Sequence, residues 1–421
     1  MTKFIIKGGF KLQGKMPVFG AKNACLPLIC ASVLSDEKVT LTNIPNLNDI
    51  ELLLDILQDI GCKINYDKIA RSIEITPNIK ETEIGEKANK MRASILLLAP
   101  LLAKKGQIKI PLPGGCGIGG RPIDITIDGL NALGVTFDKN EPNHLIATSK
   151  GLKGTRFKLH FPSVGATENL VMAASLADGE TIFENAAKEP EIADTIEFLN
   201  NMGAKIEFIA DRTIKIQGVK HFHGTVHKVI PDRIMTGTYA VIGALCAGEE
   251  GITIENCKPE LLEKELSVLK QAGVKMDINE DSIFIPQQDK NFKPVDFETG
   301  TYDGFATDLQ APMMMFLTQA KGISRVTENI YENRFMHVDH LNNMNANIEI
   351  ISDKEVVING GTSLSGKEVC STDLRASAAL VIAGLIADGE TVLDKVEHLD
   401  RGYELLDEYL NAIGAEVSRI N

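Results

Sequence analysis

Six times along the chain a helical stretch runs into a glycine or asparagine turn and then a short alternating strand: LQDIGCKI, LNALGVTF, LNNMGAKI, LKQAGVKM, LNNMNANI and LNAIGAEV. The turn residues Gly61, Gly134, Gly203, Gly273, Asn345 and Gly414 lie 69 to 73 residues apart. A helix that ends in the left-handed region calls for glycine there, with asparagine as the usual substitute. Self-similarity at such a period marks repetition of one supersecondary unit.

Each copy also opens alike, on a helix of small and apolar residues: KNACLPLICASVL, MRASILLLAPLLA, GATENLVMAASLA, IMTGTYAVIGALCA, ATDLQAPMMMFLTQA and TDLRASAALVIAGLIA. Apolar on nearly all sides, these helices are expected to be buried. Strands follow, as in GETIFENA and GETVLDKV, so the unit reads helix, strand, helix, strand, strand. An α/β architecture with helices enclosed by sheets buries such helices. The sixth copy stops at EVSRIN, and FIIKGGFKLQGKMPV at the N-terminus supplies the missing strand and connector. Residues 1–21 therefore complete the last repeat. Three copies form one domain, residues 22–232, and three form a second, residues 1–21 with 233–421. That closure favours closed domains over an open solenoid.

A chain of 421 residues has ample length for two such domains. Its formal net charge of −13 argues against a nucleic-acid or membrane surface, so any anion site must be a local gathering of basic residues. Apolar runs such as residues 95–103 and 378–387 are shorter than a membrane span, and MTKFIIKGGF lacks a signal-peptide core, which points to the cytoplasm. Seven cysteines without a spacing pattern fit a reducing compartment. Cys25, Cys30, Cys62 and Cys246 read as structural.

The repeats place the unusual residues. Lys22, Asn23, Arg92, Arg233, Asp308 and Arg375 fall at the start of the small-residue helix. Cys116, Arg121, Glu189, Arg334 and Arg401 fall in the loop before the second helix. Arginines gathered at helix starts suit ligands that carry phosphates and carboxylates; the plain alternative is ordinary caps and ion pairs. The loop PLPGGCGIGGRP, residues 111–122, contains G-x-G-x-x-G by the letter. Arg121-Pro122 interrupts it, and the repeat is not the βαβ unit that a dinucleotide site needs. Cys116, flanked by glycines, is a candidate general acid or nucleophile, or an incidental thiol in a turn. His221, His223 and His227, or His337 and His340, could ligate a metal but read better as solvated or packed side chains.

KNACLPL, MRAS, LPGGCxIGxRPID, PSVGATEN, AAKEPEIAD, PDRIMTGT, TDLQA, ENRFMHV, TDLRASAAL and HLDRGYE, in order along essentially the whole chain, resemble the UDP-N-acetylglucosamine branch of the enolpyruvyl transferase family. The resemblance implies two inside-out α/β barrels of three repeats each, with the active site between them. It implies a bacterial cytoplasmic transferase of peptidoglycan synthesis that acts on phosphoenolpyruvate and UDP-N-acetylglucosamine, with no cofactor or metal. Cys116 would be the general acid and the target of the antibiotic fosfomycin, and Asp308 the base toward the sugar hydroxyl. Lys22, Arg121 and Arg401 would hold the phosphoenolpyruvate phosphate, and Arg334, Arg375 and Arg401 its carboxylate. Arg121, Pro122, Asp124, Ser163, Val164 and Gly165 would contact the UDP, Asn23 and Arg92 the sugar or phosphate, and Ile330 would join the substrate contacts. The chain departs from the family pattern at Thr126, at Phe161-Pro162, and at Ala306, where the family carries proline.

Overall fold

The computed structural model describes residues 2–112, 123–138, 141 and 143–420. They gather into two compact units, one running to Phe19 and resuming at Pro231, the other spanning Gly20 to Ile230. Each unit carries three inner helices and three sheets.

In the Gly20–Ile230 unit the inner helices are Lys22–Ser32, Leu98–Lys105 and Val164–Ala174. Every residue of Lys22–Ser32 except Asn23 is buried. In the other unit Arg233–Cys246, Gln310–Leu317 and Leu374–Ile386 pack against one another, and every residue of Gln310–Leu317 is buried. The hydroxyls of Thr236, Thr238 and Ser377 bond to carbonyls one turn back, as Thr238 Oγ1 does to the Ile234 carbonyl at 2.9 Å. Cys25, Cys30, Cys62 and Cys246 are buried, and burial pushes the Cys246 thiol up to about 12. No described helix is long and apolar enough to cross a membrane.

Two inner helices begin later than their sequence suggests. The second opens as a 3-10 turn, Arg92–Leu97, and the fifth as Thr307–Leu309. Pro100 and Pro312 stand three residues into the α-helices that follow. Lacking an N–H, they cannot donate to the carbonyls of Leu96 and Asp308, and the α pattern stops short of both turns.

The strand after each inner helix forms the middle of a sheet. It pairs antiparallel with the last strand of its own copy and, in five of the six sheets, parallel with a short connector strand from the copy before. In the remaining sheet, Gln107–Pro111, His144–Ser149 and Val135–Asp138, the connector makes a single parallel bridge, Glu83 to Lys109. The connector of the third copy, Val226–Lys228, returns to Val39–Thr42 of the first. The N-terminal strand Lys3–Lys7 lies between Glu390–Asp394 and Glu416–Ile420 and completes the sixth sheet. Leu12–Pro17 then pairs with Ala247–Glu255 of the fourth copy. Each unit thus links its three sheets in a cycle. The short connectors, three residues in Val226–Lys228 and Arg156–Lys158, are additions to the unit expected from the sequence.

All six copy-ending turn residues have positive φ, from 76° at Asn345 to 107° at Gly61 and Gly203. Asn345 is the one with a side chain, which also reaches Ser365 Oγ at 3.4 Å. Asn345→Val, which places a β-branched residue in the left-handed region, is expected to cost about 1–2 kcal/mol in urea unfolding. Asn345→Gly should change stability by less than about 1 kcal/mol. Equal losses in the two variants would show that the side chain, not the backbone angle, selects the residue here.

Candidate active site

Asp308 stands in the 3-10 turn that precedes the Gln310–Leu317 helix, its side chain one quarter exposed. Two guanidiniums hold its carboxylate. Arg334 Nη2 donates to Oδ1 at 2.5 Å and Arg375 Nη2 to Oδ2 at 2.9 Å. Both arginines are 5% exposed, so neither charge is left to bulk solvent. At this depth, removing one partner of an ion pair costs about 3–5 kcal/mol, against 0–1 for a surface pair.

Local sequence explains the arrangement. Asp373 caps the Leu374–Ile386 helix, accepting from the Arg375 N–H at 2.8 Å and the Ala376 N–H at 3.2 Å, and this fixes where the Arg375 side chain leaves the helix. Arg375 also lies 5.7 Å from the Tyr403 ring and donates to its hydroxyl at 3.4 Å, while that hydroxyl meets Thr238 Oγ1 at 2.8 Å. Burial works against the Arg375 charge, but Asp308 first, then Tyr403 and Asp232, outweigh it and hold the guanidinium above its ordinary value. Arg334 stacks 5.3 Å from the Tyr331 ring and donates from Nε to Thr307 Oγ1 at 3.3 Å. Thr307 in turn donates to Glu328 Oε2 at 2.9 Å, and Glu328 Oε1 accepts the Ile330 and Tyr331 N–H groups at 2.8 and 3.1 Å. Arg401 ends the turn Val396–Arg401, two residues before Tyr403. His337 is buried beside this group; burial first, then the Arg334 charge, against the pull of Asp373, bring it down to about 4, so it is neutral at pH 7.

In the Gly20–Ile230 unit, Lys22 opens the first inner helix and its Nζ meets Asp49 Oδ2 at 2.6 Å, the two side chains 10% and 8% exposed. Asn23 beside it is exposed and Arg92, at the head of its turn, is half-buried. Ser163 caps the third inner helix, its Oγ accepting the Ala166 N–H at 3.4 Å. Thr167 Oγ1 donates to the Ser163 carbonyl at 2.9 Å and accepts the Ala187 N–H at 2.9 Å, which ties that helix start to the loop leading to Glu189. Val164 and Gly165 form the first turn, and a Cβ on Gly165 would meet nothing within 4 Å. Asp124 opens the helix Asp124–Ala132, exposed, with His160 Nε2 at 3.5 Å. Cys116, Arg121 and Pro122 lie outside the described residues.

The structure thus brings Asp308, Arg334 and Arg375 into one cluster. It adds Thr307, Glu328, Asp373 and Tyr403 to that cluster and, in the Gly20–Ile230 unit, Asp49 beside Lys22, none of which the sequence singles out. Asp49 is the second residue of the second helix of its copy, the position that Glu191 holds in the third, so comparing repeats could have found it. Of the histidines, His227 is packed, with Nε2 2.9 Å from Asp194 Oδ1 and its ring edge against Phe198.

Glu168 lies within the third inner helix, 5% exposed, with Glu191 and Glu189 nearby. Burial first, then those two carboxylates, hold its carboxyl well above the usual range. A raised carboxyl pKa contributes stability that is fully present below the unfolded value of about 4.3 and is lost as pH rises toward the folded value. Glu168→Gln removes that loss. The variant is therefore expected to gain melting temperature relative to the parent at pH 8 and to gain less, or nothing, at pH 5. A gain that is equal at the two pH values would contradict the buried neutral acid.

The family model described as EPSP synthase (3-phosphoshikimate 1-carboxyvinyltransferase) matches residues 6–410. Among relatives, the UDP-N-acetylglucosamine 1-carboxyvinyltransferase of Chelativorans sp. (strain BNC1) is 46% identical over 432 residues, with 100% of both chains covered. UDP-N-acetylglucosamine 1-carboxyvinyltransferase 1 of Staphylococcus aureus (strain bovine RF122 / ET3-1) is 44% identical over 424 residues, again with 100% of both chains covered. The enolpyruvyl transferase NikO from Streptomyces tendae superposes with a TM-score of 0.90 at 23% identity, covering 99% of this chain and 98% of its own. EPSP synthase from Acinetobacter baumannii gives 0.79 at 18% identity over 100% of both chains. In sequence over nearly its whole length, and in fold, the chain belongs to the EPSP synthase (3-phosphoshikimate 1-carboxyvinyltransferase) family.

Proposed function

We propose that the chain transfers the enolpyruvyl group of phosphoenolpyruvate to the 3-hydroxyl of UDP-N-acetylglucosamine and releases phosphate, the first committed step of bacterial peptidoglycan synthesis, in the cytoplasm. The observation that carries this reading is the pair of buried guanidiniums, Arg334 and Arg375, converging on one carboxylate, Asp308. The relatives at 44–46% identity carry the name of this reaction. The proposed architecture is a pair of inside-out α/β barrels, residues 22–232 and residues 1–21 with 233–421.

The reaction is an addition followed by an elimination, and it is redox-neutral. Asp308 takes the proton of the sugar hydroxyl as its oxygen bonds to carbon 2 of phosphoenolpyruvate, while Cys116 gives a proton to carbon 3. The tetrahedral intermediate then returns one of its carbon 3 protons to the Cys116 thiolate as the bond from carbon 2 to the phosphate oxygen breaks. Phosphate leaves with that oxygen, and the double bond re-forms. The intermediate bears a carboxylate and a phosphate on adjacent bonds, so fixed cations lower its energy most when they need no rearrangement to meet it. Arg334, Arg375 and Arg401 take the carboxylate; Lys22, Arg121 and Arg401 take the phosphate. The substrate carboxylate competes with Asp308 for the guanidinium donors, and its arrival releases an Asp308 oxygen to act as base. Arg121, Pro122, Asp124 and the helix start Ser163, Val164, Gly165 hold the UDP, where the N–H groups and dipole of a helix start suit a diphosphate. Asn23 and Arg92 contact the sugar or phosphate, and Ile330 joins the substrate contacts.

Purified protein is expected to release phosphate from phosphoenolpyruvate only when UDP-N-acetylglucosamine is present. Equal release with shikimate 3-phosphate, or release with neither acceptor, would overturn the assignment. Fosfomycin should inactivate the enzyme and leave a mass adduct on Cys116. Cys116→Asp, which keeps an acid but not a thiol, should retain turnover and escape alkylation; full activity in Cys116→Ser would reject the acid role.

A further inference from the structure

We propose that Glu265 is a positioning residue for Asp308, acting through the backbone N–H of Ala306. The inference rests on the proposed role of Asp308 as base. Glu265 lies on the helix Glu263–Gln271, whose sequence EKELSVLKQ is otherwise that of a charged surface helix, yet its side chain is buried at 3% exposure. A carboxylate placed among apolar neighbours is costly unless it is bonded there. Its Oε1 accepts the Ala306 N–H at 2.7 Å, the short end of the charge-assisted range. Burial raises the Glu265 carboxyl, while the Ala306 N–H and the charge of Arg233 pull it back.

Ala306 is the residue from which the Asp308 turn starts. The Leu309 N–H closes the turn on the Ala306 carbonyl at 2.9 Å, with Asp308 between them. Leu309, at the end of the turn, packs where a Cβ on Gly237 would come within 2.3 Å of its Cδ1, so the glycine of the inner helix makes room for it. Within the turn Thr307 is tied to Glu328. Glu265 supplies a further tie, at the first residue. Ala306 has φ −67° and ψ 123°, angles that proline adopts without strain, so the position is distinguished by use of its N–H and not by its backbone shape. Proline there would leave the Glu265 carboxylate without this donor.

The test is a double-mutant cycle on kcat and KM with phosphoenolpyruvate and UDP-N-acetylglucosamine, with melting temperatures recorded alongside. Glu265→Leu leaves the Ala306 N–H without its acceptor, and Ala306→Pro leaves the carboxylate without its donor. Each is expected to lower kcat roughly 10- to 100-fold while moving either KM far less, because a displaced base loses transition-state geometry before it loses binding. Glu265→Leu combined with Ala306→Pro removes both polar partners and should recover most of the lost kcat. Glu265→Gln keeps an acceptor and should do the same. In an Asp308→Ala background Glu265→Leu should have no further effect on the residual rate. Singles whose kcat losses simply multiply in the double variant, or a lowered melting temperature with kcat unchanged, would overturn the proposal. Full turnover in Asp308→Ala alone would instead overturn the role of the base, so the two failures are distinct.

Discussion

A helix with apolar side chains on every side has no face to give to water, and six such helices set the terms for everything else in this chain. Enclosing one takes a sheet, and the strand that follows each helix supplies its centre. Three copies close on themselves because the connector of the third has an open sheet edge waiting in the first, Val226–Lys228 beside Val39–Thr42. The second unit closes likewise, with Leu12–Pro17 beside Ala247–Glu255. Burying a large aliphatic side chain is worth about 1.5–3 kcal/mol.

The ends of these helices are where the proposed chemistry lies. A helix start offers unpaired N–H groups, and Asp232, Asp373 and Ser163 satisfy some of them. The residues just after the caps, Arg233 and Arg375, are carried to fixed places by helices that cannot shift without exposing apolar surface. Asp308 uses the same device in a different form: Pro312 stops the α-helix, and the carboxylate rides on the short turn before it. Two cations and one anion are therefore held in a ready geometry, and in the proposed reaction an anionic substrate would meet donors that need little reorganisation.

Much of this was legible in the residues. The left-handed turn at each copy end leaves a glycine or asparagine in the sequence, so the period could be counted, and the truncated sixth copy pointed to the strand at the N-terminus. Arg334, Arg375 and Asp308 stood out because repeat-equivalent positions carried unusual charge. What escaped notice were the partners. Asp49 and Glu265 are buried acids and Asp373 a half-buried one, on segments that read as ordinary helix starts or solvated charge, because a single polar contact leaves no periodic mark. The Ala306 departure was visible, but its meaning was not; only the structure shows the N–H in use. The 3-10 openings at Arg92 and Thr307 were hidden for a related reason, since a proline within a helix marks a missing bond without saying which turn will form instead.

The central claim is that these anion-binding groups serve an addition and elimination in which carbon 3 of phosphoenolpyruvate is protonated and then deprotonated. Mass spectrometry of the enolpyruvyl sugar nucleotide made in deuterium oxide tests it directly. The account predicts deuterium in the vinylic CH₂ of the product, placed there by the acid and retained by part of the population on elimination. A product formed in full turnover with no deuterium at that carbon would contradict it.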